Sequence, residues 1–467
     1  MFGLDATLTA LLILCLLAAC VFEFINGFHD TANAVATVIY TNSLKPWIAV
    51  LWSGIWNFIG VLAGGITVAM GISNLLPVEV LTDADIFHNV ALILSLLLTA
   101  IFWNFGTWYL GIPCSSSHTL IGSILGVGLA YSFIAPDASA SYVNWNKATD
   151  IGLSLFLSPF VGFSLAILVM YVLKQIIKNK TIFKEPVTNQ PPPFWIRLVL
   201  LLTCTSVSYA HGSNDGQKGV GLVMLILIAI VPGYFAINTS FDINDYKHEL
   251  NDLKILMQKI DTRSLAKPDS FEYAKMNSLM VDLDMKVNSI TSFSGINKKE
   301  QFAIRKDLIV IGKTSKKLLE SEDLNLSVKD KKVFKEKTSS IKKITEYAPK
   351  WVIIMIAISL GLGTMVGWRR IVQTIGEKIG KEHLTYAQGA SAELVAATTI
   401  SLSTSLGLPV STTQVLSSGI AGSMVANKGI KNLQKKTIRN IFIAWALTLP
   451  VTIFVSGGLF IILRFFL

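Results

Sequence analysis

Long apolar runs broken by carboxylates constrain this chain more than any other feature. Residues Gly27-Phe28-His29-Asp30-Thr31-Ala32-Asn33-Ala34 recur, loosened, as Gly212-Ser213-Asn214-Asp215-Gly216-Gln217-Lys218-Gly219. Each copy follows a long apolar run and puts an acid where a membrane helix ordinarily has none. An ionisable residue at that depth costs roughly 2.5–3.5 kcal/mol near the bilayer centre, so it marks function by default. One such acid reads as a buried structural pair. Two at matched positions read as a transport site.

Composition agrees with a membrane setting. Apolar residues are 52% and charged residues 15% of the 467, where soluble proteins carry about 25% charged. Many runs approach or exceed the ~18 apolar residues that suggest a spanning helix. The expected fold class is therefore an all-α polytopic membrane protein. Met1 to Asp5 carries no basic n-region, so no cleaved signal is expected. The cysteines Cys15, Cys20, Cys114 and Cys204 all lie in apolar stretches and read as small packed residues, with no zinc or disulfide framework. Net charge is +10, but residues 239–350 hold 22 Lys/Arg and 17 Asp/Glu. The basic excess elsewhere fits cytoplasmic loops and is not a nucleic-acid signal.

In chain order, residues 1–177 form a first membrane repeat. The span from Ala6 to Phe24 is expected to break at Asn26-Gly27, with Asp30 capping a second helical piece. Spans follow at 46–70 and 90–109. Gly111-Ile112-Pro113-Cys114-Ser115-Ser116-Ser117-His118 then interrupts the pattern, and 120–130 reads as a re-entrant hairpin or half-helix. After a span at 151–173, the basic, proline-rich stretch 178–193 reads as a cytoplasmic linker. Residues 194–238 open a second repeat. Residues 239–349 switch to amphipathic patterns, for example Tyr246, Leu250, Leu253, Met257 and Ile260. They read as a soluble helical insert facing the cytoplasm, with no nucleotide or metal motif. Residues 350–467 complete the second repeat, and Gly407-Leu408-Pro409-Val410-Ser411-Thr412-Thr413-Gln414 repeats the earlier interruption.

The offsets make the duplication quantitative. Asp30 and Asp215 are 185 residues apart, Ser115 and Ser411 are 296 apart, and these differ by 111, the length of 239–349. With the insert removed, both motif pairs share one offset, as two homologous halves require. Interrupted apolar segments at matched places in two halves point to a transporter's midplane site.

The interruptions carry anion chemistry. Gly111 and Pro113 stop the incoming helix. Ser115, Ser116 and Ser117 then put hydroxyls beside free backbone N–H groups, and Ser411, Thr412 and Thr413 repeat the arrangement. Two such ends, turned inward by inverted symmetry, could surround a tetrahedral oxyanion with neutral donors that also permit release. The plainer reading is that these hydroxyls cap helices or bond carbonyls one turn back. Asp30 with Asn33, and Asp215 with Asn214, can hold a cation or carry a proton, or simply cap helices. Lys218 stands where the first copy has Asn33; its ammonium would repel a metal ion and offset one acid, or form a salt bridge to Asp215. His29, His118 and His211 titrate near neutral pH and, with the acids, make proton coupling reasonable. For Glu23 and Glu393, each an acid in an apolar span, a site role and a buried hydrogen bond weigh equally.

These motifs resemble those of the inorganic phosphate transporter (Pit) family, most closely its bacterial low-affinity permeases. The similarity runs through Gly27 to Tyr40, His211 to Gly221, both Pro-x-Ser-[ST]-[ST] interruptions and Trp368 to Gly380. It covers nearly the whole membrane portion; the insert matches mainly in location. The resemblance implies phosphate symport across the plasma (inner) membrane through two inverted repeats with re-entrant hairpins. It also implies that the two Ser/Thr clusters hold phosphate and the two Asp motifs serve coupling, in a homodimer with no cofactor and no resident metal. Sodium-coupled members usually carry Asn-Asp-x-x-Asn in both halves. His29 and Lys218 depart from that pattern and favour protons. Glu393 sits where sodium-coupled relatives also place a glutamate, which keeps a sodium role open. The bacterial permeases are thought to carry metal–phosphate complexes, and a divalent metal could travel here too.

Other readings are a sulfate transporter of the same fold, a sodium-coupled phosphate symporter, a serine hydrolase built on Ser116 or Ser117 with His118, and a phosphate-sensing receptor signalling through the insert. The hydrolase would need nucleophile and base within one helical turn, unlike the usual spatial triad, and Gln414 leaves the second copy without a base.

Overall fold

Helices account for nearly all regular structure in the chain. The computed structural model describes residues 2–81, 85–134, 142–187, 190–288 and 290–467; the side chains of residues 31, 33, 78, 79 and 298 lie outside that description. The first group of helices is α1 (Ala6–Tyr40), α2 (Pro46–Ala63), α3 (Ile86–Tyr109), α4 (Ser116–Ile134), α5 (Trp145–Ile176) and α6 (Phe194–Ile230). Then come α7 (Ile243–Gln258), α8 (Lys267–Asn288), α9 (Lys298–Glu320) and α10 (Val328–Lys342). The last group is α11 (Lys350–Thr364), α12 (Arg369–Glu377), α13 (Tyr386–Ser405), α14 (Thr412–Lys428) and α15 (Lys435–Phe466). Among the described residues, α1 to α6 and α15 are long and apolar enough to cross a bilayer, and α11 with α12, bent by 64°, makes an eighth span if counted as one. This is a multi-pass membrane protein. Its outer face is apolar, with Phe454 78% and Phe160 59% exposed, as contact with lipid requires.

The two acid motifs do not break their helices. α1 runs on through Asn26 and Gly27, and α6 runs on through Gly212. In an apolar setting no water competes for a glycine's backbone groups, so the helix persists. The glycines serve close approach instead. A Cβ on Gly27 would lie 2.5 Å from the Leu360 carbonyl, and one on Gly363 2.1 Å from the Phe24 carbonyl, so α1 and α11 touch backbone to backbone. The second copy repeats this: a Cβ on Gly212 would lie 2.1 Å from the Asn57 carbonyl, and one on Gly60 2.3 Å from the Tyr209 carbonyl.

True interruptions occur after α3 and before α14. Gly111 ends α3 with φ +67° and Gly407 ends α13 with φ +70°, a conformation that glycine adopts without strain. Pro113 and Pro409 follow, and α4 and α14 restart at Ser116 and Thr412. Both restarted helices are interior. α4 packs on α15, α3 and α5, and α14 packs on α5 and α13.

The chain divides into two compact units: residues 3–226 with 348–467, and residues 227–347 with residue 2. The second unit starts before the change in composition near Thr239 because Ile237 belongs to its core. Within it, α7 to α10 enclose Tyr246, Leu253, Met280, Phe293, Leu308 and Phe334. Buried Arg305 donates 2.9 Å hydrogen bonds to the carbonyls of Ala236 and Thr345 and so ties the unit's two chain ends together. Burial lowers the Arg305 guanidinium to about 10.

Candidate functional site

The site forms where two helix starts abut. The Ser117 hydroxyl of α4 donates 2.7 Å to the Val410 carbonyl, just ahead of α14. Ser115 caps α4 by accepting from the His118 N–H at 3.2 Å, and its oxygen also meets His118 Nδ1 at 2.8 Å. Ser411 caps α14 in the same way, accepting from the Gln414 N–H at 3.2 Å. The next residue in each copy turns to Asp30: Ser116 and Thr412 each donate to Asp30 Oδ2 at 3.2 Å. Thr413 donates to Asp30 Oδ1. Of the six hydroxyl residues singled out from the sequence, Ser116, Ser117, Thr412 and Thr413 therefore gather at one place, while Ser115 and Ser411 are spent on capping.

The two acids differ in their neighbours. Asp30 is not an N-cap, since it lies mid-helix; its carboxylate takes the three hydroxyls and faces His29 Nδ1 at 3.2 Å. Asp215 pairs with Lys218 at 2.8 Å, one turn along α6, and Ser116 lies 3.4 Å from its Oδ2. The Lys218 ammonium also donates to Ser117 Oγ and, at 3.0 Å, to the Val410 carbonyl. The ammonium is thus held by one ion pair and two hydrogen bonds.

Sequence reasoning did not place Asn57. The Thr364 hydroxyl donates to the Leu360 carbonyl, so its oxygen accepts from Asn57 Nδ2 at 3.2 Å. That leaves Asn57 Oδ1 to face His211 Nδ1 at 2.7 Å, so Nδ1 carries the hydrogen. His211 Nε2 then lies 3.8 Å from Asp30 and 3.7 Å from Asp215. These three groups each present one potential cation-ligand atom, all within 4.8 Å of one another. With the Lys218 ammonium bonded to Asp215, a divalent ion would be repelled. The only signal for Asn57 in the sequence was a polar residue inside an apolar span.

Two other expected residues lie elsewhere. The Asn214 amide donates to Thr404 Oγ1 at 2.9 Å and to the Leu408 carbonyl at 3.2 Å, and its oxygen accepts from the Val410 N–H. It braces the second interruption and does not face the acids. Glu393 is fully buried beside Thr203, with no hydrogen bond to the Asp30 group among the described residues. The Asn33 side chain lies outside the described residues.

Comparison with known proteins bears on what such a site belongs to. Residues 26–456 match the phosphate transporter family. The chain belongs to that family. A low-affinity inorganic phosphate transporter of Buchnera aphidicola (subsp. Acyrthosiphon pisum, strain APS) is 41% identical over 99% of this chain and 98% of its own length. The low-affinity inorganic phosphate transporter PitB of Escherichia coli (strain K12) is 39% identical over 98% of this chain and 97% of its own. Among solved structures, a sodium-dependent phosphate transporter shares the fold, with TM-score 0.56 and 20% identity over 98% of this chain and all of that one. As a phosphate transporter family member, the chain is a transporter and not an enzyme. The Ser117–Val410 junction and the acids at Asp30 and Asp215 all fall within the family-matched region.

Proposed function

We propose that this chain is a secondary active symporter that imports inorganic phosphate across the plasma (inner) membrane, driven by protons, by alternating access. The observation that carries the reading is the convergence of Ser116, Thr412 and Thr413 on one carboxylate oxygen pair at two abutting helix starts. Neutral hydroxyls beside free backbone N–H groups suit a tetrahedral oxyanion. In the conformation described, Asp30 holds those hydroxyls. Phosphate entering here competes with Asp30 for the same donors, and a carboxylate stripped of donors in a buried site carries a proton instead. Phosphate binding and protonation of Asp30 are thereby coupled through the same three hydroxyls, so that anion and proton are carried together.

The surroundings of Asp30 support protons over sodium. His29 Nδ1 faces an Asp30 oxygen at 3.2 Å and its Nε2 lies 3.3 Å from Thr107 Oγ1, so an imidazole that can carry a proton stands where sodium-coupled members have an amide. Lys218 fills the place of the second motif's amide and leaves less room for sodium. The sodium-coupled alternative keeps one observation, the buried carboxylate of Glu393 apart from this centre. In this reading the membrane portion comprises two inverted repeats, the insert faces the cytoplasm, the protein works as a homodimer, and a divalent metal travels only bound to phosphate.

The test is radiolabelled phosphate uptake in proteoliposomes under a proton gradient, then a sodium gradient, each with and without Mg²⁺ and with sulfate as competitor. Proton-driven uptake that ignores sodium and is weakly competed by sulfate is the expected result. Uptake that needs sodium would overturn the coupling, and sulfate accumulating in place of phosphate would overturn the substrate.

A further inference from the structure

A second acid on α1 is left with an unusual proton deficit. Glu23 lies two turns before Asp30, roughly 10 Å along the helix at 1.5 Å per residue, and is fully buried. Asn26 Nδ2 donates 3.2 Å to Glu23 Oε2. Glu23 Oε1 and Asn26 Oδ1 are both buried and take no hydrogen bond among the described residues. Two adjacent acceptors without a donor, out of reach of water, are costly.

The neighbours offer no charge to balance Glu23. The ionisable groups around it are Cys20 and Asp30 on α1, and Asp215 and Lys218 on α6. Lys218 is the one cation among them; it is ion-paired with Asp215 and donates to Ser117 and Val410. Gly219, the next residue, packs directly on the carboxyl: a Cβ there would lie 2.5 Å from Oε1. A hard cation also fits poorly, since such ions take about six oxygens and Glu23 and Asn26 together offer two unpartnered ones among the described residues.

We propose that Glu23 and Asn26 form a second proton-binding site, distinct from the Asp30 centre, whose proton is taken up and released during transport. One proton on Oε1 satisfies both orphaned atoms: the acid O–H donates to Asn26 Oδ1 while the Asn26 amide donates to Oε2, closing a two-bond acid–amide ring. The proposal rests on the proton-coupled reading above and adds one proton to each cycle.

Two measurements test it. Infrared difference spectra of the wild-type protein in liposomes, recorded on stepping the pH upward, should show loss of a protonated-carboxyl band, and Glu23→Gln should lack that band. In proteoliposomes, the wild-type proton-to-phosphate ratio should exceed that of Glu23→Gln by one. Gln keeps the shape and can make the same ring with Asn26, so the variant retains the pairing without the exchangeable proton. A wild-type spectrum with no band assigned to Glu23 overturns the site. A band with an unchanged ratio overturns its coupling while leaving the Asp30 reading in place. Wild-type uptake indifferent to the proton gradient sinks both, whatever the spectrum shows.

Discussion

Asp30 and Asp215 hold matched places in two long helices, yet they are neutralised by different means. Asp30 is met by hydroxyls from both interruptions and by an imidazole, all groups that can turn away or gain and lose a proton. Asp215 is met by an ammonium whose other hydrogens are bound to Ser117 and Val410. The first acid has exchangeable partners and the second a fixed one. In the proposed reading, Lys218 in place of an amide divides the labour of the two motifs: the first responds to ligand and the second holds the helix starts together.

The contrast can be broken experimentally, beginning with the largest effect. Asp30→Asn is expected to abolish proton-driven phosphate uptake in proteoliposomes, and uptake near wild type would remove Asp30 from the coupling centre. Asp215→Asn strands a buried ammonium and should cost about 3–5 kcal/mol, as breaking a buried pair does. Thermal unfolding of the reconstituted protein should show much of this recovered when Lys218→Met is added; a double variant no better than either single one would mean the pair is not what holds this copy.

Smaller effects sharpen the comparison. Gly27→Ala and Gly212→Ala each push a methyl group to within 2.5 Å of a facing carbonyl, and overpacking of this kind costs about 1–3 kcal/mol. Similar losses in unfolding temperature would mean the two copies pack alike, and a loss confined to one would show that only that contact is tight. His29→Gln should lower proton-driven accumulation about tenfold, equivalent to ~1.4 kcal/mol. A variant that accumulates phosphate as the wild type does under the same proton gradient argues against His29. Ser411→Ala, which removes only a helix cap, should cost about 1 kcal/mol of stability and leave phosphate affinity within a factor of two, in contrast to Thr412→Ala. Equal loss of affinity in the two would erase the distinction between capping and facing positions.

Much of this centre could be anticipated from spacing. Lys218 three residues after Asp215 is a helical neighbour, and the ion pair is there at 2.8 Å. Gly111 and Gly407, each two residues before a proline, marked real interruptions. Other expectations misjudged local chemistry. Asn26-Gly27 suggested a break, because glycine and asparagine weaken helices in water; with no water to take the backbone bonds, α1 stays whole. Asn214 looked like a partner for Asp215 but braces the chain at Leu408 and Val410. Nothing in a run of three hydroxyl residues tells which one caps and which ones face inward, since that depends on the residue at which the helix begins.

By itself the amino-acid sequence determined the membrane setting, the paired motifs and their offsets, and the polar insert, because hydropathy and helical period are local properties of the chain. Tertiary structure alone decided which acid received the hydroxyls. Ser116 reaches Asp30 across 86 residues and Thr412 reaches it across 382. Contacts of that span are set by how helices pack, and α1, which carries Asp30, lies backbone to backbone against α11 at Gly27.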